Sequence, residues 1–209
     1  MKLIIATPSP FARKIRVALR EKNISCEEVT ENPWNASSTL QDLNPLGQIP
    51  ILVSDKEEVI YDSRVIFEYL EQLGEQHHLL PSDPSDRIRA RKTEAIADGI
   101  CNAVVLIVLE HHRPKNLQSK DWIDRQQQKI RNGLIALNEE LDKKDWAVCG
   151  NMTIGDIAVA CTLSYIDLRL PDFQWRNNHS NLASFSMQME KRDSFRDTTL
   201  RSQTINAVN

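Results

Sequence analysis

Residues 2–21 read KLIIATPSPFARKIRVALRE, and this stretch decides the fold. Lys2 to Thr7 is a short, mostly apolar run closed by proline, the pattern of a buried strand. Thr7-Pro8-Ser9-Pro10 is a loop stiffened twice, because proline fixes its own φ. Phe11 to Glu21 then carries Ile15, Ala18 and Leu19 on one helical face, with Arg13, Lys14, Arg16 and Arg20 elsewhere. Ser9 is a good N-cap and Pro10 suits the first helical position. The four cations read as a solvated face that raises the potential near Ser9.

Working outward, Ser25 to Val29 reads as a second strand and Leu40 to Asn44 as a helical turn. Ile49 to Val53 is extended, Asp55 to Glu58 turns, and Val59 to Tyr61 pairs back as a hairpin. Ser63 to Leu73 is helical, with Ile66, Phe67, Leu70 and Leu73 at helical spacing. This succession makes a small α/β domain over residues 1–77. Residues 74–86 hold Gly74, Pro81, Pro84 and several Ser and Asp, the punctuation of a boundary, so 78–86 is read as a linker. Long helical periods then take over, and 87–209 is read as an all-helical domain. Arg87 to His112 forms one helix, ended by Pro114. Asp121 to Leu141 forms a second, whose positions 123, 127, 130, 134, 137 and 141 make a seam, so the pair should pack antiparallel. Ile154 to Leu168 is almost wholly apolar and should be buried. Leu182 to Lys191 is a further candidate helix, and the last ten residues read as frayed.

Composition excludes several functions. The 209 residues hold 26 Lys and Arg against 29 Asp and Glu, a net charge of −3 that gives no pull toward nucleic acid or an anionic membrane. Apolar residues at 41% exclude a disordered chain, and six Gly with nine Pro favour helix. The apolar cluster Ala103 to Leu109 is too short to span a bilayer. The four Cys, at 26, 101, 149 and 161, make no CxxC and read as free thiols of a reducing cytoplasm. The adjacent pairs His77-His78 and His111-His112 point apart on a helix, so no metal site is expected.

Three places carry candidate chemistry. Ser9 sits beside unsatisfied helical N–H groups, where an anion is favoured, and reads equally as a plain cap. In NPLGQIPIL, residues 44–52, Pro50 cannot donate to a ladder and belongs at a strand's start. A cis bond before it would turn the Ile49 backbone outward to pair with an extended peptide. In YDSR, residues 61–64, Asp62 and Ser63 open a helix. They read as a cap, or as a site for a zwitterion with carboxylate on the helix end and ammonium on Asp62. Thr153-Ile154-Gly155-Asp156 is a capping box with a structural role.

Taken in order, SPFARKIRVAL (9–19), NPLGQIPIL (44–52), YDSRVIFEYL (61–70) and MTIGDIAVA (152–160) resemble the glutathione transferases over nearly the whole chain. The resemblance implies a thioredoxin-like N-terminal domain, an all-α helical-bundle C-terminal domain, a cytoplasmic homodimer, and a cis Ile49-Pro50 bond. It implies glutathione as cosubstrate, a small electrophile as second substrate, and no metal. It places Ser9 at the glutathione sulfur, with Thr7 as the alternative donor. It places Ile49 and Pro50 at the cysteinyl backbone, Asp62 and Ser63 at the γ-glutamyl end, and Gln48 as a further contact. Thr153 and Asp156 match the family's folding box. The competing reading is a non-catalytic binding protein of the same fold, associated with stress or transcription. Redox exchange through the protein is disfavoured, since Ser9-Pro10-Phe11-Ala12 holds no Cys.

Overall fold

The computed structural model describes residues 1–35, 38–73, 78–142 and 144–204. The chain divides into two compact units, Met1–Leu79 with Asp193–Asn209, and Leu80–Arg192. Residues 74–77, which include the expected end of the first domain, and 205–209 of the expected frayed end lie outside the described residues.

The first unit runs β1 (Lys2–Ile5), α1 (Pro10–Glu21), β2 (Glu27–Thr30), α2 (Leu40–Leu43), β3 (Ile51–Val53), β4 (Val59–Ile60) and α3 (Ser63–Gln72). The sheet order is β2-β1-β3-β4. β1 is parallel to β2 and antiparallel to β3, and β3 is antiparallel to β4. This is the mixed thioredoxin-like sheet that the sequence implied. β1 lies inside the sheet, so Leu3, Ile4 and Ile5 are all buried and the strand does not alternate with polar residues. Ile4 and Ile51 stand opposite each other and pack with Leu40, Leu43 and Ile49, so α2 covers that face. α1 and α3 pack on each other and bury Ile15, Ala18, Leu19, Ile66, Phe67 and Leu70.

The basic face of α1 is not solvated as the sequence implied. Arg13 and Lys14 are each only 1% exposed. The chain returns to this unit through a short helix over Asp193–Arg196, and Phe195 and Thr198 are fully buried. Arg13 Nη2 donates to the Phe195 carbonyl at 2.9 Å, and its guanidinium stacks 5.2 Å from the Phe195 ring. Carbonyl acceptors and a ring thus replace water around the charge, which a reading of one helix in isolation cannot anticipate. Arg16 and Arg20 share Glu28 of β2, each at 2.8 Å. The segment from Asp193 therefore groups with the α/β unit, although the sequence placed it in the helical domain.

The second unit contains α4 (Pro84–His112), α5 (Lys120–Glu140), α6 (Ile154–Arg169) and α7 (Ser180–Met189), and the helix over Asp193–Arg196 is α8. α4 begins one turn before the expected start, with Asp83 Oδ1 accepting from Asp86 N at 2.9 Å. Pro84 opens the helix here, although in the sequence it reads as linker punctuation. Thr93 of α4 bonds Glu140 of α5, and Gly133 of α5 lies against Ile96 and Ile100, so these helices run antiparallel as expected. α6 runs parallel to α4: Gly155 meets Ala90 and Thr93, and Thr162 donates to the Ala97 carbonyl. A Cβ at Gly155 would sit 3.0 Å from the Ala90 carbonyl oxygen, tighter than an ordinary contact, and glycine lets the two helices meet there without a shift. Residues 154–163 of α6 are all buried, as their apolar run implied.

Asp156 fixes the entry to α6. Its Oδ2 accepts from Thr153 N at 2.8 Å and Thr153 Oγ1 at 2.7 Å, and its Oδ1 accepts from Ala147 N at 2.8 Å. Burial pushes its carboxyl above the usual range, against the pull of these donors.

Candidate functional site

All the singled-out residues of the first unit leave the sheet at one end. β1 runs out at Ile5 toward Ser9. β3 enters from Ile49-Pro50, with Ile51 opposite Ile4. β4 pairs Ile60 with Leu52 and runs out toward Asp62 and Ser63. Counting two steps beyond that pair puts Asp62 level with Pro50. Adjacent strands lie about 4.8 Å apart, so β1, β3 and β4 together span roughly 10 Å.

Ser9 is the N-cap of α1. Its N–H donates to the Ala6 carbonyl at 3.0 Å, and its Oγ accepts from Ala12 N at 3.1 Å. The plain capping role is therefore real. It uses only an acceptor lone pair, so the hydroxyl proton stays available for donation. Pro10 has no N–H, and Arg13 N bonds the Ser9 carbonyl. Phe11 N–H is left as a first-turn donor with no partner among the described residues. Thr7 is half-buried, and its carbonyl accepts from Arg201 N at 3.2 Å, which ties the same loop to the returning tail.

The loop before β3 is held by Asn44, which in the sequence reads only as part of a turn. Asn44 is 2% exposed. Its Oδ1 accepts from Leu46 N at 3.0 Å and its Nδ2 donates to the Gln48 carbonyl at 2.8 Å. Asn followed by Pro is a turn signal, and the side chain here takes the place of a backbone partner. Gly47 follows with φ of +60°, a conformation glycine adopts without penalty. Gln48 is exposed, Ile49 half-buried and Pro50 buried. The Ile49-Pro50 bond is cis.

At the third corner the Tyr61-Asp62 bond is also cis, and Asp62 caps α3 through Oδ1, which accepts from Arg64 N at 2.9 Å. Asp62 is exposed and keeps its second carboxylate oxygen toward solvent. Ser63 is 2% exposed at the first position of α3, and its hydroxyl has no partner among the described residues. The arrangement offers a hydroxyl and helical N–H groups for a carboxylate, with a carboxylate close by for an ammonium. Among the described residues no group of three or more His, Cys, Asp and Glu is placed to hold a metal, and no helix is long and apolar enough to cross a membrane.

Comparison with known proteins bears on this geometry. The family described as Glutathione S-transferase, N-terminal domain, matches residues 8–73. The family described as Glutathione S-transferase, C-terminal domain, matches residues 120–186. The GST-like protein YibF of Escherichia coli K12 is 36% identical over 198 residues, covering 95% of this chain and 98% of its own. FtsZ-localized protein A of Caulobacter vibrioides is 28% identical over 196 residues, covering 90% and 85%. The crystal structure of a glutathione S-transferase of Methylobacterium radiotolerans, in complex with glutathione sulfonate, superposes with a TM-score of 0.95. It is 41% identical and covers 99% of this chain and 97% of its own.

Proposed function

The chain belongs to the glutathione S-transferase family, and from that premise we propose that it binds glutathione at the Ser9–Ile49–Ser63 end of the sheet and activates its thiol. The observation that carries the reading is the convergence of three loops on that end. An extended tripeptide reaches about 10 Å, which matches the roughly 10 Å across the three strands. The γ-glutamyl carboxylate takes the Ser63 hydroxyl and the α3 N-terminus, and its ammonium takes Asp62. The cysteinyl backbone pairs with Ile49, in the loop that the Asn44 tether holds. Gln48, exposed beside it, contributes a further polar contact. The Methylobacterium relative's glutathione sulfonate complex supports this assignment.

The chemistry follows from Ser9. A thiol is a poor nucleophile and its thiolate a good one. Lowering a thiol pKa from about 8.5 by two units requires about 2.7 kcal/mol of preference for the charged form. A hydroxyl donating to a charged sulfur supplies about 1.5–3 kcal/mol. A helix N-terminus adds about 0.3–1 kcal/mol. Ser9 Oγ and the Phe11 N–H together reach that sum without metal or base. The thiol proton leaves to solvent. The sulfur lone pair forms a bond to the electrophilic carbon, whose leaving group departs with its electron pair. Thr7 is the second candidate for the hydroxyl donor.

The protein acts in this reading as a cytoplasmic homodimer in detoxification. Leu46 and Val65 of the first unit, at 70% and 52% exposed, and separately Ile88 of the second, at 70%, are apolar side chains that self-association would cover. The direct test is initial-rate conjugation with a panel of small electrophiles, wild type beside Ser9→Ala and Thr7→Ala. Turnover falling in one of them with glutathione affinity retained supports the reading. Equal turnover in all three, and in the double variant, contradicts it.

The second reading is a partner-binding protein that keeps the fold without the chemistry. The similarity to FtsZ-localized protein A favours it. Glutathione binding with no turnover on any electrophile would turn the account toward it.

A further inference from the structure

The second unit holds a cavity of about 180 Å³, lined by none of the residues used so far for glutathione. Its walls come from the first turns of α4, the last turn of α5 and the loop that leads to α6. We propose that this cavity binds a phosphate dianion, free or as a small monoester.

The frame is rigid. Asp156 clamps Ala147 N at 2.8 Å, and Ala147 and Val148, 4% and 8% exposed, form an apolar floor. Thr93, 1% exposed, is pressed against Gly155, where α6 crosses α4. The polar lining is cationic: Arg89, Lys92 and Lys144 face one carboxylate, Glu140. Both oxygens of that carboxylate are engaged, Oε1 by Lys92 Nζ at 2.6 Å and Oε2 by Thr93 Oγ1 at 2.8 Å. Lys144 Nζ reaches only the Glu140 backbone carbonyl, at 3.4 Å, and has no carboxylate partner among the described residues. Arg89 gives Nη1 to Asp86 at 2.9 Å and keeps its other N–H groups.

A concave site with apolar walls and an excess of one charge concentrates ions of the other sign. Arginine's planar fork and lysine's point charge are the groups that bind phosphate best. The cavity is large enough for several waters and so admits a phosphate with a short organic tail. Glu140 orders Lys92 and Thr93 and also lowers the affinity of the cavity for anions.

The experiment is calorimetric titration of the full-length protein with inorganic phosphate and, separately, glycerol phosphate, with chloride at matched ionic strength as control. Variants are Arg89→Gln, Lys144→Gln, Glu140→Gln and Ser63→Ala. The proposal expects saturable binding of at least one phosphate compound and none of chloride. It expects a loss of about tenfold in each cation variant, one charge-assisted hydrogen bond each. Glu140→Gln tightens binding, because a like charge leaves while Thr93 keeps an acceptor. Ser63→Ala binds as wild type. Phosphate binding better than glycerol phosphate identifies the free ion as ligand, and the reverse identifies a monoester. No saturable binding of either overturns the proposal. So do unchanged affinity in both cation variants, weaker binding in Glu140→Gln, and loss of binding in Ser63→Ala, which would move the anion to α3.

Discussion

Replacing Asp156 with alanine should nearly unfold the second unit. The side chain is fully buried and accepts from Thr153 N, Thr153 Oγ1 and Ala147 N at 2.7–2.8 Å. Alanine leaves two backbone donors and one hydroxyl without their acceptor, each at about 1–3 kcal/mol. Part of this is offset, because burial already disfavours the ionised carboxylate and that penalty vanishes with it. The net loss should be about 3–5 kcal/mol, as for removing one partner of a buried charged network. Folded domains hold about 5–15 kcal/mol, so the variant is left marginal. Urea unfolding followed by far-UV circular dichroism reads this as a midpoint lower by about 1.5–2.5 M, with m near 2 kcal/mol/M. Asp156→Asn keeps one acceptor oxygen but turns an amide N–H toward the remaining donors, and should fall between alanine and wild type. A midpoint shift under about 0.5 M for Asp156→Ala would refute the reasoning, since the bonds would then contribute little.

Asn44→Ala removes the Gln48 tether without touching the ligand; glutathione affinity by calorimetry should fall about tenfold while the fold survives. Ser9→Ala should raise the pKa of the bound glutathione thiol by about 1–2 units, read as thiolate absorbance against pH in the complex. Tyr165 is 4% exposed and its phenol is pushed up to about 12 by burial. Its neutral form is favoured in the native state, so stability is full below pH 10 and is lost as pH rises from 10 to about 12. The loss should reach about 2.7 kcal/mol and be absent in Tyr165→Phe, measured by urea unfolding across that window. Gly155→Ala places a Cβ 3.0 Å from the Ala90 carbonyl and should lower stability by about 1–3 kcal/mol, seen as a lower Tm.

Much of this was legible because the signals are local. Apolar period and cap chemistry lie within a few residues, and they marked β1, Ser9 with α1, Asp62 with α3, and the buried α6. What was missed depends on residues far apart in the chain. Arg13 reads as solvated because nothing near it in sequence foretells that Phe195 and Thr198 return to cover it. Asn44 reads as turn punctuation because its role lies in where Nδ2 points, and only the Asn-Pro pair hinted at it. Pro84 reads equally well as a breaker or as a helix opener, and Asp83 decided between them. The register that brings Ser9, Pro50 and Asp62 to one end required the sheet pairing itself.

The most direct test of the central claim is calorimetric titration of reduced glutathione into wild type and Ser63→Ala. The account predicts binding between micromolar and low millimolar, about −8 to −4 kcal/mol, weakened about tenfold or more in Ser63→Ala with Tm unchanged. No heat and no thermal shift at about 10 mM glutathione, or wild-type affinity in Ser63→Ala, would contradict it.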